Sequence, residues 1–370
     1  MFFTSKSYGD TDFITGMRAL AAIAVLFIHT GGAGLREFGG MANNFVDLGK
    51  SGVYVFFVIS GFSVAQSLVT SSGYLDYLNK RIWRIAPLYY FWIVLSIMLS
   101  VTATYWQNKF GVVVDAYNII MHLGFVSFAD YRITNSILGV EWSISIEVFW
   151  YLFVPLFVFL SRNNILALVM VVASAAIYAI AVKNTNILPV PAVDSALAMH
   201  WSPVPYLFNF CLGVAAFRLR AHFPQSSKIG DVVLCATVAL VVFYCAFPSL
   251  VNKVFRNDFF LMSLITFVLI VFGTLKSCLF KVFLANRPVM MLGAISYGIY
   301  LCHMPIINLI SRLFSGLDEY SFAFFAIVTI TSCCISLLTY HVIEKPGSAF
   351  GKKFSMLPFF VRAKTPSAPI

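Results

Sequence analysis

An apolar stretch near the start of the chain, GMRALAAIAVLFIHT from Gly16 to Thr30, encloses one arginine and one histidine. On a helix that turns about 100° per residue, the step from Arg18 to His29 returns to within roughly 20° of its start. Both side chains therefore lie on one face, but they are about 16 Å apart along the axis, too far to act on one atom. A histidine can serve as a general base near neutral pH, and a guanidinium group can bind phosphate.

Four further apolar segments carry polar side chains suited to chemistry. Ser60 lies in YVFFVISGF, Glu147 in WSISIEVFWYLFVP and His303 in ISYGIYLCHMP. KRIWRIAPLYY contains Arg81 and Arg84, which are three residues apart and hence neighbours on one helical face. An ionisable residue in an apolar helix is costly and often marks a site or pathway. The structural alternatives are interface anchors for the arginines, an interfacial histidine at position 29 and a purely structural carboxylate at position 147.

The elements that must position these side chains are membrane helices. The chain is 60% hydrophobic and only 11% charged, whereas soluble domains carry about 25% charged residues. At about 20 residues per span, the 370 residues accommodate about ten spans, so the predicted fold is an all-α polytopic membrane protein. The spans are predicted near residues 12–31, 46–69, 83–102, 143–161, 164–182, 203–220, 230–249, 258–275, 289–311 and 321–343. Residues 103–142 are predicted to form one long loop whose middle dips into the membrane.

The distribution of positive charge sets the predicted topology. Most of the 25 Lys and Arg residues fall on the side of the N-terminus, which is the positive-inside pattern and places both termini in the cytoplasm. The net charge of +10 therefore reflects topology, and no nucleic-acid partner is predicted. At these depths Arg18, Arg81 and Arg84 gather toward the cytoplasm, while His29, Glu147 and His303 gather toward the other side.

Several other features are predicted to have no catalytic role. The seven cysteines include no CxxC pair, so neither a disulfide framework nor a metal site is predicted. Arg18 interrupts the first span, which favours a retained helix over a cleaved signal peptide. Gly61 indicates close backbone approach to a neighbour or to a ligand. The remaining histidines and the acid near the end of the last span are assigned to loops, interfaces and helix ends: His122, His200, His222, His341 and Glu344.

Six segments, in order and suitably spaced between about Phe13 and Pro346, resemble acyltransferase family 3. These membrane proteins O-acylate extracytoplasmic glycans and some other acceptors. The matching segments are TGMRALAAIAVLFIHT, FFVISGF, RIWRIAPLYY, EWSISIEVFWYLFVP, ISYGIYLCHMPI and HVIEKP. One difference is Tyr54, because many members have an acidic residue before FFVxSGF; Asp47 is the candidate replacement. The resemblance is to the stand-alone form without a C-terminal hydrolase-like domain, which implies a transmembrane domain over residues 1–345 and a cytoplasmic tail over 346–370.

The resemblance also implies a reaction and roles for the site residues. The donor would be cytoplasmic acyl-CoA, most commonly acetyl-CoA, bound by Arg18, Arg81 and Arg84. His29 would act as the base, or would itself be acylated in a two-step transfer, with Glu147 orienting it and Arg18 completing the catalytic group. The residues predicted to contact the acceptor are His303, Ser60 and Tyr54.

The implied acceptor is a hydroxyl of an extracytoplasmic or lipid-linked glycan, such as O-antigen or exopolysaccharide. The implied location is the bacterial inner membrane, in contact with membrane lipids. Two other readings stay open: an acyltransferase that acts on a lipid or other small acceptor, and a multipass transporter. A transporter is expected to have broken helices related by an internal repeat, and the sequence indicates none.

Overall fold

The protein is described here by a computed structural model that covers residues 11–255 and 257–354 in interpretable detail. Within these ranges the chain forms α-helices joined by turns and irregular segments, and no β-strand is present, which confirms the predicted all-α class. The first helices are α1 (Asp12–His29), α2 (Gly40–Asp47), α3 (Gly52–Thr70), α4 (Tyr74–Met98), α5 (Thr104–Phe110), α6 (Ala116–Leu123), α7 (Trp142–Tyr151), α8 (Val154–Leu160), α9 (Asn164–Lys183) and α10 (Ser195–His200). They are followed by α11 (Leu207–Arg220), α12 (Ser227–Ala246), α13 (Pro248–Phe255), α14 (Asp258–Phe272), α15 (Cys278–Leu284), α16 (Arg287–Ala294), α17 (Ser296–Leu313), α18 (Phe322–Thr339) and α19 (Lys345–Phe354).

The described residues contain fewer clear spans than the ten predicted. Five helical stretches are long and apolar enough to cross a membrane, or eight if each bent pair of helices counts as one span. The bent pairs are α7 with α8 at 57°, α16 with α17 at 66°, and α13 with α14. The other two predicted spans coincide with α4, which carries Arg81 and Arg84, and with α11, which has only 14 residues. The bends were not predicted, because a continuous apolar run does not show where a helix breaks.

Two glycines allow α3 and α11 to cross at close range. A Cβ atom at Gly61 would collide with the backbone of Phe210, and one at Gly213 would collide with the backbone of Val58. Small residues at such crossings let helix backbones approach closely where lipid provides no hydrophobic driving force. The predicted close approach at Gly61 is therefore confirmed. The crossing fixes α3, the helix that carries Tyr54 and Ser60.

A buried polar cluster folds the segment between α4 and α7, which was predicted as one long loop. The Glu141 carboxylate accepts hydrogen bonds from the backbone N–H groups of Ile137, Leu138 and Val140 at 2.7–3.0 Å. Nε2 of His122 lies 3.4 Å from the same carboxylate, and both side chains are fully buried. A buried carboxylate needs hydrogen-bond donors, and the three backbone N–H groups supply them to Glu141. The segment is thus a packed part of the fold that includes α5 and α6.

The last helix packs against α4. A π-helical turn, Tyr340–Glu344, joins α18 to α19. The rings of Trp83 and Phe350 lie 4.5 Å apart, and the Asn79 amide donates to the Gly351 carbonyl oxygen at 2.7 Å. Residues 346–354 of the predicted tail therefore belong to a packed helix. Residues 355–370 lie outside the described ranges, as do residues 1–10, so the position of the termini stays a prediction.

Candidate active site

Three arginines from two helices line one cavity of about 90 Å³, here called the arginine cavity. Arg18 comes from α1, and Arg81 and Arg84 come from α4, as the sequence predicted. Ser63 of α3 links the helices: Arg18 donates to its hydroxyl oxygen at 2.7 Å, and Arg81 donates to its carbonyl oxygen at 2.9 Å. Each of these two guanidinium groups keeps further N–H donors, since an arginine carries five.

Glu147 lies in the arginine cavity with Ser60. Its carboxylate accepts a hydrogen bond from the Ser60 hydroxyl and another, 2.5 Å long, from the Tyr151 hydroxyl. Among the described residues, no arginine nitrogen comes within 4 Å of this carboxylate. Glu344 interacts electrostatically with Arg84 but does not line the cavity. Positive charge therefore predominates on the cavity wall, which suits a polyanionic ligand.

A second and larger cavity, of about 460 Å³, contains His29 and is here called the histidine cavity. Nδ1 of His29 lies 3.0 Å from Nε2 of His303, and the two rings stack with centroids 5.1 Å apart. Tyr54 also lines this cavity, whereas His303 is fully buried beside His29 and is not part of the lining. The aromatic residues on the wall are Tyr54, Tyr105, Trp106, Trp142, Trp201 and Tyr300.

His200 belongs to the histidine cavity, although its position between two predicted spans suggested no role. Its ring lies 5.1 Å from that of Trp142, and Nδ1 lies 3.2 Å from the Tyr206 hydroxyl. Desolvation of the ring by the surrounding protein disfavours its charged form, and the positive charge of Lys50 adds a smaller repulsion. Together they lower the pKa of His200 to about 4, so the ring is neutral at physiological pH. No local sequence signal identifies His200, because tertiary packing alone brings it to the cavity.

The two cavities adjoin at Val53 and Tyr300, the residues common to both linings. The Tyr300 hydroxyl is held by the Ser143 hydroxyl at 2.7 Å and by the Val140 carbonyl oxygen at 2.9 Å. Arg18, inside α1, and His29, at its C-terminal end, therefore face different compartments that meet at a shared wall. This agrees with their predicted separation along one helix face.

The predicted contact between Glu147 and His29 is not formed. Glu147 bonds to Ser60 and Tyr151 in the arginine cavity, whereas His29 bonds to His303. The depth assigned to Glu147 assumed a straight span over residues 143–161, but α7 ends at Tyr151 and the chain bends by 57° into α8. Because of the bend, the depth of Glu147 cannot be estimated by counting residues along one straight helix axis.

Asp47 does not replace the acidic residue that Tyr54 displaces. The Asp47 carboxylate forms an exposed ion pair with Arg36 at 2.7 Å and does not line the histidine cavity. Asp258 of α14 is closer to the site, because it accepts a hydrogen bond from Ser51 at 3.1 Å and lies 3.4 Å from the Lys50 ammonium group. Within residues 11–255 and 257–354, no three His, Cys, Asp or Glu side chains gather as a metal site requires.

A comparison with known families decides the classification. The acyltransferase domain of acyltransferase family 3 matches residues 11–341, a range that includes every residue of both cavities. The chain belongs to acyltransferase family 3. The resemblance carried by the six sequence segments is thereby confirmed. In family 3 terms, the Arg-x10-His pair spans α1, the Arg-x-x-Arg pair lies on α4 and the glutamate motif lies on α7.

The curated family 3 relatives are similar over most of this chain. It is 29% identical over 324 residues to the peptidoglycan O-acetyltransferase OatA of Listeria monocytogenes, covering 80% of this chain and 49% of the relative. It is 23% identical over 380 residues to the O-acetyltransferase OatA of Staphylococcus aureus, covering 93% of this chain and 58% of the relative. The chain thus spans about half the length of these relatives. No solved structure gives a significant match.

Proposed function

We propose that the protein is a membrane-bound O-acyltransferase that moves an acyl group, preferentially acetyl, from cytoplasmic acyl-CoA to a hydroxyl of an extracytoplasmic glycan. The observation that carries this proposal is the shared wall, since Val53 and Tyr300 line both an arginine cavity and a histidine cavity. One compartment suits an anionic donor and the other offers a base. The proposed location is the bacterial inner membrane, with the arginine cavity on the cytoplasmic side.

The arginine cavity supports a coenzyme A donor. Guanidinium groups form charge-assisted, often bidentate hydrogen bonds to phosphate. A cavity of about 90 Å³ is too small for the nucleotide, so we place the phosphates at its mouth near Arg81 and Arg84. The slender pantetheine arm then passes Arg18 and brings its thioester to Val53 and Tyr300.

The histidine cavity supports a glycan acceptor. Its six aromatic side chains offer flat faces that can stack on the C–H faces of sugar rings. In the direct scheme, His29 takes the proton of the acceptor hydroxyl as that oxygen attacks the thioester carbonyl. The carbon–sulfur bond breaks, and the departing thiolate takes the proton from the imidazolium. In the two-step scheme, His29 attacks the thioester and releases the coenzyme A thiolate, and the acyl group then passes from the ring to the hydroxyl, whose proton goes to the thiolate.

The acceptor is proposed from chemistry and from the names of the relatives. Both OatA relatives are named for O-acetyl transfer, and the Listeria relative is named for peptidoglycan. Peptidoglycan therefore joins O-antigen and exopolysaccharide as acceptors to be assayed. The three bent helix pairs also fit a transporter, but family 3 membership favours acyl transfer over that alternative.

The proposal is tested with purified protein in lipid vesicles, radiolabelled acetyl-CoA and each candidate glycan. We expect label in the glycan together with release of free coenzyme A, and mass spectrometry should show added acetyl groups. His29→Ala should abolish transfer while coenzyme A binding persists. The matched control is His222→Ala, because His222 is exposed and lines neither cavity. Transfer at the wild-type rate by His29→Ala would reject the catalytic role of His29.

A further inference from the structure

The hydrogen bonds around His303 define which of its ring nitrogens carries a proton. Nδ1 of His303 lies 3.1 Å from the carbonyl oxygen of Ile299, one turn earlier on α17. A carbonyl oxygen can only accept a hydrogen bond, so Nδ1 carries the hydrogen and Nε2 of the neutral ring carries a lone pair. His303 is 0% exposed, so bulk water does not compete for either nitrogen. His303 therefore presents a fixed acceptor to its neighbour.

That neighbour is His29, whose Nδ1 lies 3.0 Å from Nε2 of His303. A ring nitrogen that faces only acceptors must be the one that bears hydrogen. His29 thus has its hydrogen on Nδ1 and its lone pair on Nε2, at the opposite edge of the ring.

We infer that His303 is a positioning residue that holds His29 in the tautomer and orientation required of a base. The inference rests on the proposed function, because it assigns the proton-accepting atom of the proposed transfer to Nε2 of His29. Nε2 accepts the proton of the glycan hydroxyl, and the imidazolium keeps its Nδ1 hydrogen, which donates a hydrogen bond to Nε2 of the neutral His303 ring. The proton on Nε2 subsequently passes to the coenzyme A thiolate, which restores both rings to their starting state.

A neutral imidazole here takes the place that a carboxylate has in a Ser-His-Asp triad. The triad carboxylate fixes the histidine tautomer and stabilises the imidazolium. Glu147 cannot do this, because it bonds to Ser60 and Tyr151 in the other cavity. His303 was predicted to contact the acceptor, but its complete burial behind His29 leaves no surface for a substrate.

The first experiment separates positioning from packing by steady-state kinetics. His303→Leu keeps a similar volume but removes the acceptor, so kcat should fall by about 10²-fold or more while the KM for acyl-CoA changes little. His303→Gln keeps an acceptor oxygen and should retain a larger part of kcat than His303→Leu. The matched control is Cys302→Ala, since Cys302 is equally buried but bonds toward Ser336 on α18 and should tolerate the change.

The second experiment reads the tautomer directly, by ¹⁵N NMR of histidine-labelled wild-type protein in lipid nanodiscs. Because the chain has only six histidines, the spectrum contains few imidazole signals, and those of His29 are identified by their loss in His29→Gln. We expect protonated Nδ1 and unprotonated Nε2 at neutral pH in the wild type, with the pattern disturbed in His303→Leu and retained in His303→Gln, which keeps an acceptor oxygen. Protonated Nε2 in the wild type, or wild-type kcat in His303→Leu, would overturn the inference. Absence of any transfer by wild-type protein would instead refute the proposed function, while the tautomer measurement would still stand on its own.

Discussion

The hydroxyl of Tyr151 donates a 2.5 Å hydrogen bond to the Glu147 carboxylate, one helical turn earlier on α7. Together with the Ser60 hydroxyl, it satisfies the carboxylate without an arginine. A hydroxyl carries no positive charge, so neither partner is a counter-ion to the carboxylate. Glu147 therefore acts on the arginine cavity through its electrostatic field, and its substitution should be felt in donor binding.

Glu147→Gln should tighten coenzyme A binding, by about fivefold or ~1 kcal/mol, because it removes a negative charge near an anion site. A contact with His29 predicts the opposite pattern, which is normal donor binding with a partial loss of transfer. Isothermal titration calorimetry with coenzyme A distinguishes the two. Tyr151→Phe is the control, since it removes the hydrogen bond but keeps the charge. Unchanged affinity in Glu147→Gln would show that the carboxylate field does not reach the donor.

Arg81→Ala and Arg84→Ala should each weaken coenzyme A binding while the protein stays folded. Losing hydrogen bonds from a charged group costs about 1.5–3 kcal/mol, or roughly 10- to 150-fold in Kd. Arg18→Ala should chiefly impair donor engagement as well, because Arg18 lies on the proposed path of the pantetheine arm. Arg162→Ala is the control, since Arg162 stacks over the Phe159 ring and lines neither cavity. If both Arg81→Ala and Arg84→Ala bound coenzyme A with wild-type affinity, these two arginines would not form the donor site.

Val53→Phe should narrow the boundary between the two cavities. We expect coenzyme A to bind normally, acetyl transfer to slow and butyryl transfer to slow further, because the acyl group must reach His29 past this side chain. Paired rate measurements with acetyl-CoA and butyryl-CoA test this. Val55→Phe is the control on the same helix, since Val55 lines neither cavity. Equal losses for both donors would indicate a general disturbance of the fold and not a size limit.

Gly61→Ala should destabilise the crossing of α3 and α11, since a Cβ atom would collide with the Phe210 backbone. Overpacking of a tight contact costs about 1–3 kcal/mol. A lower unfolding temperature of the detergent-solubilised protein should result. Gly73→Ala is the matched control, because a Cβ atom there would meet nothing within 4 Å and the backbone is extended. An unchanged unfolding temperature in Gly61→Ala would mean that the helices can separate without cost.

Helical periodicity predicted the arginine group well and the surroundings of Glu147 poorly. Arg18 and the Arg81–Arg84 pair lie on regular helices, so spacing and depth sufficed to bring them together. Glu147 precedes a 57° bend, and a bend is a tertiary feature that an apolar run does not record. The burial of His122 against Glu141 likewise depends on partners distant in sequence.

The pairing of His29 with His303 could not be read from local pattern either. The residues are 274 positions apart, and their contact depends on how α1 and α17 pack. Family resemblance compensated for part of this limit, because it identified His29 without showing its neighbours. It did not indicate that a second imidazole, and no carboxylate, stands behind the first.

The unequal size of the two cavities has a consequence for how such proteins diversify. The arginine cavity, at about 90 Å³, holds roughly a fifth of the volume of the histidine cavity, at about 460 Å³. Under the proposed function, the small arginine cavity restricts which acyl donors can bind, while the larger histidine cavity tolerates variation in the acceptor. Substitutions of the aromatic residues that line the histidine cavity could then change which sugars are acylated without changing donor binding. Because the two cavities are separate, the aromatic lining of the histidine cavity is the part of the protein to alter when the range of acceptors is to be changed.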